Sequence, residues 1–84
     1  MKWTVTVAQP ALKQIARFPA KDQLRIESAI RAMADDPFGG DTRKLEGFSN
    51  RWRRRVGDYR VLFTVHAIRA ILVSAVVRGT STTY

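Results

Sequence analysis

Apolar and polar positions alternate at the start of the chain, where Trp3, Val5 and Val7 interleave with Lys2, Thr4 and Thr6. A period of two in aromatic and β-branched residues predicts a strand over residues 2–7 with one buried face. The period then lengthens. Pro10 suits the opening turn of a helix, where a backbone N–H would have no partner to lose. Ala11, Leu12, Ile15, Ala16 and Phe18 follow at helical spacing until Pro19 ends the run. A second helix is predicted over residues 21–34, with Leu24, Ile26, Ile30 and Met33 on its apolar side. Lys21, Asp22, Arg25, Glu27 and Arg31 supply its wet side. Asp35-Asp36-Pro37-Phe38-Gly39-Gly40 then breaks the helix in a loop.

Period two returns in the second half. Residues 51–56 and 59–65, separated by Gly57-Asp58, predict a hairpin closed by a tight primed turn. Residues 70–78 are almost wholly apolar and rich in Val and Ile, which predicts a central strand covered on both faces, reached through a turn at residues 66–69. The predicted order is β-α-α-β-β-β. The fold class is therefore α+β, in two layers: two N-terminal helices packed on one face of a mostly antiparallel four-stranded sheet. Eighty-four residues accommodate a single domain, 1–84, with a thin stability margin.

Composition narrows the chemistry. There is no cysteine and one histidine, His66, which excludes disulfides, Cys-based zinc sites and any site needing two imidazoles. The longest apolar run is far short of the roughly 20 residues of a membrane span. The opening Met1-Lys2-Trp3-Thr4 has no secretory apolar stretch, so a cytoplasmic location without membrane association is expected. Fifteen basic groups against seven acidic ones give a net charge of +8. The excess is lopsided: residues 1–42 carry six basic and five acidic groups, residues 43–84 nine basic groups and only Glu46 and Asp58. A one-sided field of this size attracts polyanions, so nucleic acid or an acidic protein is the expected ligand.

Strand parity concentrates that charge. If Trp52, Val56, Tyr59, Val61, Phe63 and Val65 face the helices, then Arg53, Arg55 and Arg60 share the open face near the hairpin turn. Like charges in contact repel by roughly 4 kcal/mol at an effective dielectric near 20, so such a cluster favours a counter-anion. Guanidinium forks match phosphate oxygens in bidentate fashion. Arg54 falls on the core-side set. An edge strand whose core-facing side is half covered would let its stem pack and its head reach water.

Lys44-Leu45-Glu46-Gly47, the run Trp52-Arg53-Arg54-Arg55-Val56-Gly57-Asp58-Tyr59-Arg60-Val61-Leu62-Phe63 and the closing Tyr84 resemble the RelE/ParE superfamily of small bacterial toxins, over essentially the whole chain. The resemblance implies a single RelE-like toxin domain, the toxin of a type II toxin–antitoxin pair. Its implied partners are a cognate acidic antitoxin, forming a heterotetramer with the toxin, and the ribosome with its mRNA. In the RelE branch, favoured here, the toxin cuts translated mRNA by attack of a 2′-hydroxyl, without metal or small-molecule cofactor. In the alternative ParE branch it inhibits DNA gyrase and cuts nothing. Carried over, the catalytic set is Arg53, Arg55, Arg60, Arg78 and Tyr84, with Tyr84 orienting or activating the attacking hydroxyl. Arg78 is the only candidate for the further basic residue that the RelE branch carries after its last strand, and its register is offset. The expected RNA-binding surface is Arg43, Lys44, Arg51, Arg53, Arg55 and Arg60.

Other chemistry-bearing residues read more simply. His66 has a pKa class suited to proton transfer but lies in the far turn, Asp58 is a turn residue, and Asp35-Asp36 ends a helix rather than holding a metal. Trp3 and Trp52 are expected to pack in or around the core rather than stack on bases.

Overall fold

The computed structural model describes residues 2–66 and 68–79. Its elements are β1 (Thr4–Val7), α1 (Gln9–Ala16), α2 (Ala20–Ala32), β2 (Asp41–Lys44), β3 (Arg51–Val56), β4 (Tyr59–His66) and β5 (Ala70–Arg78). The strands form one sheet in the order β1-β5-β4-β3-β2; β1 runs parallel to β5 and every other neighbouring pair is antiparallel. Among the described residues no helix is long and apolar enough to cross a membrane.

The two-layer α+β arrangement is the expected one, but the sheet has five strands rather than four. The added strand is β2, Asp41-Thr42-Arg43-Lys44, which carries no apolar alternation to announce it. It forms because β3 offers a row of backbone donors and acceptors, and a polar, charged strand is well suited to an exposed edge.

The core follows the predicted alternation. Tyr59, Val61 and Phe63 of β4 are buried with Ile71, Val73 and Val76 of β5, against Ala11 and Ile15 of α1 and Ile26 and Met33 of α2. Trp3, Val5, Val7, Trp52 and Val56 pack around them. Phe38, in the loop after α2, lies 5.8 Å from the ring of Trp3 and 4.8 Å from that of Trp52. Both tryptophans are thus packing residues, as expected. The loop is shaped by Asp36, whose carboxylate accepts the Phe38 backbone N–H at 3.0 Å.

β5 is an interior strand, between β1 and β4, but it is not covered on both faces as expected: only one of its faces lies under the helices. Its alternation breaks at a bulge: Leu62 pairs with Ala75 but Phe63 pairs with Val73, leaving Ser74 as the extra residue. The Ser74 hydroxyl donates to the Leu62 carbonyl at 3.2 Å, and Gln14 of α1 accepts the Val76 N–H at 2.7 Å. A serine inside an apolar run is explained by this bulge.

Two further ties join helix to sheet. The buried Tyr59 hydroxyl donates to Asp22 of α2 at 2.8 Å, and its ring lies 4.5 Å from that of Phe18. Burial first, and then the Asp22 carboxylate it donates to, raise the Tyr59 phenol above its ordinary value. The β3–β4 turn is closed by Gly57 at φ +58° followed by Asp58. A positive φ at the first central residue alone is the type II′ pattern, a primed turn as predicted.

Arg54 corrects the sequence reading. β3 is not an edge strand, because β2 covers it, and Arg54 sits between Thr42 and Val61 on the helix-facing side. Its guanidinium lies against Gly40, where a Cβ would come within 3.1 Å of Nη2. Its Nη1 is buried without a hydrogen-bond partner. An unsatisfied buried donor costs about 1–3 kcal/mol. Arg54→Met keeps the apolar stem and removes the donor, so the expected result is an unchanged or higher urea midpoint. A clear fall would show that the guanidinium is well solvated or paired in solution.

Candidate nucleic-acid interface

Cross-strand register places the arginines. Arg55 of β3 lies directly opposite Arg60 of β4, Arg53 opposite Leu62, and Arg43 of β2 opposite Arg53. Their neighbours Trp52, Val56, Tyr59, Val61 and Phe63 belong to the helix-facing set. Arg43, Arg53, Arg55 and Arg60 therefore occupy the open face of three adjacent strands. Directly opposed residues have Cβ atoms roughly 5 Å apart, so these stems rise side by side. The face expected from parity is present, and β2 adds Arg43 to it.

The heads are partly held in place. Arg60 Nη1 donates to the Gly79 carbonyl at 2.8 Å, which fixes it against the end of β5. Arg53 Nη1 lies 3.4 Å from the Asp41 carboxylate and 3.3 Å from the Asp41 carbonyl. With the Arg53 side chain 18% and the Asp41 side chain 51% exposed, this pair is worth little in energy but fixes a direction. Arg55 is exposed beside them. Among the described residues of β2, β3 and β4, Asp41 is the one carboxylate set against these four guanidiniums, so the face is strongly positive, and preorganised donors of this kind suit phosphate oxygens.

The other predicted residues are distributed differently. Arg51, opposite Thr64, is on the open face but further along β3, its guanidinium 4.6 Å from the centroid of the Phe48 ring. Lys44 lies opposite Trp52, on the other side of the sheet. Arg78 lies opposite Tyr59, with its guanidinium 5.7 Å from that ring's centroid, so it is not brought together with Arg55 and Arg60. The bulge at Ser74 is the reason. Without it, parity counted from Ile71 and Val73 would place residue 78 on the open face; the extra residue turns it to the helix side. Tyr84 lies outside the described residues. His66 ends β4, and with two open-face positions between them, Leu62 and Thr64, it lies roughly 20 Å from Arg60.

The structure also brings in residues that the sequence reading did not. Asp41 neutralises part of the face, and Phe48 borders it. Both follow from the β2 pairing. The available signal was a pair of apolar residues, Leu45 and Phe48, around Glu46-Gly47 in an otherwise polar stretch.

The family model described as the ParE toxin of type II toxin–antitoxin systems, parDE, matches residues 2–81. No curated protein sequence matches significantly. Among solved structures, the archaeal RelE–RelB complex from Pyrococcus horikoshii contains a similar chain, with a TM-score of 0.83 at 23% identity, covering 95% of this chain and 98% of that one. The RelB–RelE antitoxin–toxin complex from Methanococcus jannaschii gives 0.75 at 23% identity, over 87% and 88% of the two chains. The isolated Escherichia coli RelE toxin gives 0.78 at 14% identity, over 95% and 87%. At these identities the likeness is one of fold.

Proposed function

This chain belongs to the ParE toxin family of type II toxin–antitoxin systems, within the RelE/ParE superfamily, and on that premise we propose that it is a RelE-like endoribonuclease acting on translated mRNA at the ribosome. The observation that supports this reading is the open-face cluster of Arg43, Arg53, Arg55 and Arg60, with Arg55 opposite Arg60. In the proposed reaction a 2′-hydroxyl attacks the adjacent phosphorus and loses its proton. The bond to the 5′-oxygen breaks, and that oxygen takes up a proton, leaving a 2′,3′-cyclic phosphate and a 5′-hydroxyl. Charge builds on the non-bridging oxygens in the transition state. Arg55 and Arg60 are proposed to stabilise it, with Arg53 and Arg43 binding the flanking phosphates. Fixed donors aimed at developing charge are usually the largest catalytic contribution. Tyr84 is the proposed proton carrier.

A second reading, inhibition of DNA gyrase without cleavage, is favoured by the family description, which is that of ParE toxins. Transcript ends mapped within minutes of induced expression separate the two. Rapid translational arrest with cuts inside codons is expected. Filamentation and a DNA-damage response with intact transcripts would transfer the assignment to gyrase.

In either case the proposed partner is a cognate acidic antitoxin, assembled with the toxin as a heterotetramer. A chain of net charge +8 attracts an acidic, partly disordered segment that folds on contact. An apolar groove of about 400 Å³ between the helices, bordered by Leu12, Ile15 and Ile30, gives such a segment somewhere to bury side chains.

A further inference from the structure

Phe48 is a large apolar side chain left 49% exposed in the connection between β2 and β3. Its position is not that of a loose loop. The Leu45 N–H donates to the Arg51 carbonyl at 2.8 Å and the Val65 N–H to the Asn50 carbonyl at 3.0 Å, which closes and anchors the segment at both ends. Gly47, at φ +81°, provides the sharp reversal between them. Arg51 lies over the ring with its guanidinium 4.6 Å from the centroid.

Beside the ring is a cavity of about 430 Å³ lined by Arg43, Lys44, Leu45, Glu46, Phe48 and Arg53. Two of these, Arg43 and Arg53, belong to the open-face arginine cluster and lie opposite each other in register. The cavity is thus the continuation of the phosphate-binding face, with an aromatic ring and the Leu45 side chain added to its charge. A ligand that satisfies both parts carries a flat apolar ring and an adjoining anion, which is the chemistry of a nucleotide. Base–aromatic stacking accepts any base, and preanchored rings lose little entropy on binding.

We infer that Phe48, with Leu45, Arg43 and Arg53 of the same cavity, is a subsite for an unstacked base of single-stranded RNA, next to the phosphates held by the arginine face. The inference rests on the nucleic-acid reading of that face. It adds a position where the strand is gripped by a base rather than by charge alone.

The test uses two fluorescent 2′-O-methyl oligonucleotides of equal length, which cannot be cut at the ribose. One carries bases throughout; the other is abasic over its central nucleotides. Affinities are measured by anisotropy for the full-length wild-type protein, Phe48→Ala and Phe48→Trp across a salt series. The wild type is expected to prefer the base-bearing strand. Phe48→Ala weakens that strand about tenfold, leaves the abasic strand unchanged and keeps the slope of log K against log salt, since no phosphate contact is lost. Phe48→Trp restores the preference. Equal wild-type affinity for both strands, or equal weakening of both by Phe48→Ala, overturns the base subsite while leaving the charged face intact. Loss of affinity for the antitoxin alone in Phe48→Ala also overturns it and assigns the ring to a protein contact. Binding of neither strand by the wild type overturns the nucleic-acid reading itself, and the subsite with it.

Discussion

Replacing Arg60 with alanine is expected to abolish most toxicity while leaving the fold nearly intact. Arg60 stands opposite Arg55 on the open face, and its Nη1 donates to the Gly79 carbonyl at 2.8 Å, at the end of β5. Losing that bond costs about 1 kcal/mol. The charge, by contrast, has no substitute among the described neighbours: Arg55 is across the ladder and Arg78 lies on the reverse side of the sheet. Removing one preorganised donor at a developing oxyanion typically lowers a rate by about 100-fold or more. Under the proposed ribonuclease reading, cleavage of mRNA on programmed ribosomes should fall by that order, and the salt slope of RNA binding by about one. Arg60→Lys should restore binding better than cleavage, because an ammonium group cannot reproduce the fork. Full cleavage by a folded Arg60→Ala protein would remove this face from the mechanism.

The largest stability loss is expected from Phe63→Ala. Phe63 is 1% exposed and lies between Trp52 of β3 and Val73 of β5, at the point where the bulge begins. Truncating a buried phenylalanine costs about 3–5 kcal/mol, through lost transfer energy and the cavity left behind. Native domains have only about 5–15 kcal/mol in hand, and a chain of 84 residues belongs near the lower end. Urea unfolding followed by tryptophan fluorescence should show the midpoint collapse or the folded baseline vanish. The neighbouring open-face residue gives the control: Leu62→Ala, half-buried, should lose far less. Similar losses at both positions would mean that the open face is covered in solution.

Much of the candidate site was legible because strand parity is local. Arg53, Arg55 and Arg60 could be assigned to one face from their spacing around Gly57-Asp58, and the register carries them there. Arg43 could not. It joins them only because β2 pairs with β3, and β2 is a polar edge strand whose four residues carry no periodic signal. The explanation offered for Arg54 failed for the same reason, since a strand's status as an edge depends on which other strand finds it. Arg78 shows how parity itself can be overruled. One inserted residue at Ser74, secured by a side-chain bond to Leu62, reverses every position after it.

The amino-acid order alone thus determined the helices, the hairpin, the buried side of each of its strands and the surplus of positive charge. These rest on bond geometry between near neighbours, which makes successive side chains along a strand point to opposite faces whatever lies around them. The tertiary structure decided the fifth strand, the bulge, the seat of Arg54 against Gly40 and the exposed Phe48 beside the arginines. Each depends on pairing between segments distant in the chain, where backbone groups seek partners and loops close as the neighbouring strands dictate.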